Sequence, residues 1–99
     1  MWNERCPVHP GEILKEDVIA ALGLSVTEAA EKLAMSRTRL SRVLACKAGI
    51  RPDLAIRLEQ AGVSTARTWM AMQANYDLWQ AMQHNQPPVI RLQEPVEEP

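Results

Sequence analysis

Arg37, Arg39 and Arg42 fall within one span of six residues, in the segment SRTRLSR from Ser36 to Arg42. A guanidinium can meet guanine O6 and N7 with two parallel hydrogen bonds, and a threonine methyl can touch that of thymine. Ser36, Thr38 and Ser41 add short hydroxyl donors, and a serine-capped helix N-terminus suits a phosphate. The chemistry offered is recognition of a polyanion. Two other sets of residues could do chemistry. CPVH, Cys6 to His9, has a metal-ligand spacing that Cys46 and His84 could complete. Structural zinc sites use compact paired spacings, which this set lacks, and His9 is better read as part of a helix start, so no metal or cofactor is expected. A catalytic site needs a nucleophile, a base and an orienting group in reach. The histidines are His9, at a helix start, and His84, in a tail, so no enzyme is expected.

The formal net charge of −1 over 99 residues hides this basic segment. From Glu28 to Glu59 seven cations face four acids, a regional charge of +3, whereas from His84 to Pro99 three glutamates face Arg91 alone. A basic middle suits a polyanion partner; the acidic, proline-rich end suits something else. The length bounds the chain to one domain with a modest core. No run of 18 apolar residues is present, so no membrane span is expected. The start, MWNERCPVHPGE, lacks the apolar stretch of a signal peptide. A cytoplasmic protein with Cys6 and Cys46 reduced follows as the expectation.

These residues need elements to position them, and the periodicity is helical from Gly11 to Met82. A first helix should start at Pro10-Gly11-Glu12, put Leu14, Val18, Ala21 and Leu22 on one face, and stop at Gly23. SVTE, Ser25 to Glu28, is a capping box that opens a short second helix with Val26, Ala29, Ala30 and Leu33 inward. A three-residue connection, AMS, leads to Ser36, the expected N-cap of a third helix. At about 100° per residue, Leu40, Val43 and Leu44 form its buried seam. Arg39, Thr38, Ser41 and Arg42 project from the other side, with Arg37 at the N-terminal edge. A fourth helix should run from Pro52 to Ala61 with Leu54, Ala55 and Leu58 inward. A fifth, capped by Ser64 or Thr65, should run through Met82. Its apolar stripe, Trp69, Met72, Tyr76 and Trp79, needs a partner surface, in the core or across a dimer contact. NQPP ends the helix, VIRLQ is a β-prone run, and EPVEEP reads as disordered.

Two short helices joined by three residues, the second serine-capped and studded with arginine, describe a helix-turn-helix. The second helix of such a unit enters the DNA major groove. Lys47, just beyond it, is the expected phosphate contact.

The chain from about Val8 to Met82 resembles the HigA family of antitoxins (VapI-like), which carry an XRE/Cro-type helix-turn-helix. The resemblance rests on HPGEIL, His9 to Leu14; on SRTRLSRVL, Ser36 to Leu44; and on TWMAMQANYDLW, Thr68 to Trp79. It implies an all-α, five-helix, lambda-repressor-like domain over residues 8–82, to which the composition of 83–99 adds a short flexible, acidic, proline-rich tail. It also implies a homodimer that binds an inverted-repeat operator, represses its own operon and neutralises a HigB-type, RelE-like ribonuclease. On it the DNA contacts map to Ser36, Arg37, Thr38, Arg39, Ser41 and Arg42. Two rival functions keep the same fold: a repressor without a toxin, or an interaction module that no longer reads DNA.

The chain departs from the family pattern in places. Ala34-Met35 stands where the family usually has Gly and a β-branched residue, Ala45 where Asn is usual, and Arg51 where Ser or Thr would cap the next helix. Losing that cap costs about 1 kcal/mol unless Asp53 compensates through the helix dipole. The tail PPVIRLQEPVEEP has two readings: a segment that stays mobile, or one in which VIRL adds as a strand to a partner while the acids face a basic surface.

Overall fold

Residues 6–94, the part of the chain that this computed structural model describes, contain five helices and no strand. Helix α1 opens as α-helix over Pro10–Ile13 and continues as a π-helix over Leu14–Ala20. The others are α2 (Val26–Lys32), α3 (Arg37–Leu44), α4 (Pro52–Gln60) and α5 (Ala66–Met82). The boundaries agree with the sequence expectation to within a residue or two. None is long and apolar enough to cross a membrane.

Local chemistry explains the helix starts. Ser25 Oγ accepts from the Glu28 amide at 3.0 Å, and Glu28 Oε1 accepts from the Ser25 amide at 2.9 Å, which is the expected capping box. Those bonds, the backbone one first, hold the Glu28 carboxyl below its ordinary range. Thr65, not Ser64, caps α5 by accepting from the Thr68 amide at 3.1 Å. Arg51 caps α4 without any side-chain bond, so the missing hydroxyl is a real vacancy, with Pro52 and Asp53 in the first turn instead.

The inward face of α1 differs from the expectation. Leu14 is buried, but Val18 is only half-buried and Ala21 and Leu22 are exposed; Ile19 is buried in their place. The π geometry is the reason. A turn closed from residue i to i+5 brings the fifth residue, not the fourth, back to the same face. Leu14 and Ile19 are five apart.

α2 packs on α3, α4 packs on α5, and α1 bridges the two pairs by touching both α3 and α5. Leu14, Leu40, Ile50, Leu58 and Trp69 are at most 2% exposed and form the centre of one core. Each such side chain contributes about 1.5–3 kcal/mol of burial. Gly11 is where α1 meets α3: a Cβ there would collide with the carbonyl of Val43. Beyond α5, the β-prone VIRLQ run is irregular coil, with Val89, Ile90 and Leu92 exposed. A strand needs a partner for its amides, and none of the chain's described residues supplies one. The final residues 95–99, most of the EPVEEP segment read as disordered, lie outside the described part, as do residues 1–5.

Candidate nucleic-acid interface

Leu40, Val43 and Leu44 are buried and anchor α3, so its other side must face solvent. Arg37, Thr38, Arg39, Ser41 and Arg42 are all exposed there. Ser36 Oγ accepts from the Arg39 amide at 3.1 Å, which ties off one of the open amides of the first turn. α2 stands behind α3 with Ala29 and Ala30 fully buried, and these small residues allow the close approach of the two helices.

The exposed residues divide between two depressions. The first, of about 450 Å³, is bordered by Arg37, Thr38, Ser41, Arg42, Ala45 and Lys47. It gathers most of the expected contacts, including Lys47 beyond the helix end. Arg42 points toward that end, with Nη2 3.4 Å from the Lys47 carbonyl. The second depression, of about 390 Å³, lies between α3 and α4 and holds Arg39, Arg42 and Arg51 with Asp53 on its wall. Arg39 is thus set apart from Arg37 and Thr38, and Arg42 borders both depressions. In the sequence Arg51 stands out as a lost cap; the structure brings it beside two of the arginines. Nothing in the local sequence marks that proximity, which arises from the turn between α3 and α4.

Both helix-turn-helix connections use left-handed backbone without glycine. Ala34 after α2 has φ 56°, and Cys46 after α3 has φ 62°. At each, the chain reverses out of the helix by bonds back to the last turn. The Met35 amide reaches the Ala30 carbonyl at 3.0 Å, and the Lys47 amide reaches the Arg42 carbonyl at 2.9 Å.

His9 is buried, and its Nδ1 accepts from the Gly11 amide at 2.9 Å, capping α1. Its ring meets Tyr76 edge-on at 4.7 Å. Burial pushes its pKa below the ordinary value, against the opposing pull of Asp77 and Glu12. Cys6 and Cys46 are exposed free thiols. Among the described residues no three His, Cys, Asp or Glu side chains are grouped to hold a metal ion.

On α5 the predicted stripe separates into roles. Trp69 is core and donates from Nε1 to the Val63 carbonyl at 2.8 Å. Met72, Tyr76 and Trp79 are half-buried. Gln73, which no sequence signal marks, is buried: Oε1 accepts from the Ile50 amide at 2.8 Å, and Nε2 donates to Asp77 Oδ1 at 2.9 Å. It pins the segment after α3 to α5.

No protein-family model matches the chain. Virulence-associated protein A of Dichelobacter nodosus is 42% identical over 85 residues, covering 85% of this chain and 83% of its own. Among solved structures, an addiction module antidote protein of the HigA family from Coxiella burnetii superposes with TM-score 0.74 at 32% identity, over 80% of this chain and 86% of that one. The Pseudomonas aeruginosa antitoxin HigA, solved with the higBA promoter, superposes with TM-score 0.75 at 32% identity, over 78% and 84%. Relatives named for a role are antitoxins and helix-turn-helix transcriptional regulators, which are not enzymes. With the fold, the arginine-bearing helix and these likenesses in agreement, the chain belongs to the HigA family of antitoxins with an XRE-like helix-turn-helix.

Proposed function

We propose that this protein binds operator DNA as a homodimer, represses its own operon and neutralises a HigB-like, RelE-type ribonuclease toxin. The observation that carries the DNA half is the outward donor face of α3, held in place by Leu40, Val43 and Leu44. Arg37, Thr38 and Arg42 read bases, Arg39 serves the flank nearest α4, Ser36 and Ser41 add hydroxyl contacts, and Lys47 neutralises a phosphate. Residues 8–82 form the DNA-binding unit in this reading, and residues 83–99 the acidic tail. The half-buried side chains Met72, Tyr76 and Trp79, beside exposed Leu78 and Met82, supply apolar area for a two-fold contact. The toxin half is supported by family membership rather than by a surface of this chain, and a cytoplasmic site of action goes with the DNA half.

A gel shift with the chain's own upstream DNA, at two salt concentrations, tests the DNA half, with the Arg39→Ala/Arg42→Ala variant beside it. Tight, salt-sensitive binding that the variant loses is the expected result. Equal binding by the variant, or no binding at low salt, would turn the reading toward an interaction module. Co-expression with a small basic ribonuclease encoded beside the gene tests the toxin half, with rescue of growth expected.

A further inference from the structure

The helix-turn-helix pair and the α4–α5 pair are bridged by α1, and a polar bond also ties α4 to the turn before α3. Arg57, on α4, donates from Nη1 to the carbonyl oxygen of Ala34 at 2.8 Å, across 23 residues of sequence. Its acceptor is the left-handed residue of the turn, φ 56°. Two residues further on is Ser36, the N-cap from which α3 starts. Arg57 is half-buried with its guanidinium engaged at the turn, whereas Arg37, Arg39 and Arg42 on α3 are exposed.

A left-handed alanine is disfavoured, because its Cβ crowds the following carbonyl. That strain favours relaxing the turn, and the bond of the Met35 amide to the Ala30 carbonyl opposes it. A relaxed Ala34 would rotate its carbonyl away from α4, and α3 would pivot with it. A charge-assisted hydrogen bond to that carbonyl also opposes the rotation, and guanidinium geometry makes the bond directional. We propose that Arg57 is a positioning residue for DNA reading: it locks the turn to α4, and so sets the angle at which α3 carries its arginines, without touching DNA itself. This rests on α3 being the reading helix. Because α4 packs on α5, the same bond refers the reading helix to the half of the molecule that carries the proposed two-fold contact.

The test uses the full chain and a pool of random duplexes, from which the wild-type protein selects its preferred site. Affinities for that site and for random duplex are then measured at three salt concentrations, for wild type, Arg57→Met and Arg57→Lys. Methionine keeps the apolar stem over its neighbours and removes the bond; lysine keeps a cationic donor but loses the planar fork. Helical circular dichroism and thermal melts give the folded fraction, and affinities are expressed per folded molecule. The expected result is a fall of about tenfold in the ratio of selected-site to random affinity for Arg57→Met, the scale of one charge-assisted hydrogen bond. The salt dependence should be unchanged, and Arg57→Lys should recover part of the ratio. Two results overturn the proposal. A salt slope shallower by about one phosphate's worth with the ratio intact would make Arg57 a direct phosphate contact. An unchanged ratio in folded Arg57→Met would leave it no positioning role. If wild type selects no site at all, the DNA reading itself has failed, whatever Arg57 does.

Discussion

At the scale of single residues, side chains that act within a few positions of themselves are legible, and those that act across the fold are not. Ser25, Glu28 and Ser36 announce their caps because a hydroxyl or carboxylate three residues from an amide has one obvious use. Arg57 carries no such signal, since its acceptor is 23 residues away. Gln73 misleads, because a polar side chain argues for solvent until the Ile50 amide behind it is known. Ala34 and Cys46 are a third kind, where the turn demands a left-handed residue and the chain supplies one with a Cβ. Ala34→Gly should therefore raise stability by about 0.5–1 kcal/mol in denaturant unfolding, the relief of left-handed strain less the entropy glycine adds to the unfolded chain. A loss of stability would show that the Ala34 methyl does more by packing than it costs in strain. His9 gives a second prediction. Its folded pKa is lowered by burial, so the folded state resists a proton that the unfolded state takes up. The associated stability is complete above the ordinary value of 6.5 and is lost as pH falls below it toward the lowered folded value. His9→Asn keeps a capping acceptor without a titrating ring. Its melting temperature should vary less between pH 7.5 and 5.5 than that of wild type, and equal slopes would place the titration elsewhere.

Elements were legible where the chain keeps an ordinary helical period and opaque where it does not. α3 and α4 keep it, and Leu40, Val43 and Leu44, then Leu54, Ala55 and Leu58, are buried as the spacing requires. α1 breaks it, because a π turn moves the inward position from Val18 to Ile19, and no residue type in LKEDVIA signals i→i+5 closure. α5 hides its inward face for a different reason: Gln73 lies among the tryptophans and methionines, so buried and polar do not separate. The contact of α1 with α3 bears on the proposed DNA binding, because with α2 it fixes the buried side of α3. It passes through Gly11, where an added methyl would collide with the carbonyl of Val43, a backbone atom that cannot swing aside. Gly11→Ala should cost about 1–3 kcal/mol of stability, the usual scale of overpacking. It should also weaken DNA binding per folded molecule, since the strain is released by moving α3. Reduced stability with unchanged binding would mean that α1 yields instead.

For the whole molecule, the arrangement of charge decides more than its sum. A chain of net charge −1 should bind DNA poorly if its charges were mixed. Here Arg37, Arg39, Arg42, Lys47 and Arg51 border the two neighbouring depressions on and beside α3, while Glu94 of the tail lies beyond α5. One such face is a small footprint. Doubling it by two-fold symmetry would set two copies of α3 about 34 Å apart, one turn of duplex, and require half-sites in inverted repeat. The requirement is rotational as much as linear. Inserting about 5 base pairs between the half-sites turns one of them to the far side of the duplex, where the second copy of α3 cannot follow. Inserting about 10 restores the face but lengthens the span. For a rigid dimer joined through α5, both insertions should reduce binding to that of an isolated half-site, the shorter one because of the angle and the longer one because of the reach. If only the shorter insertion weakens binding, the two copies are tethered flexibly. If neither does, and the complex has the mass of one protein chain per half-site, the two-fold contact on α5 is absent and each copy reads DNA alone.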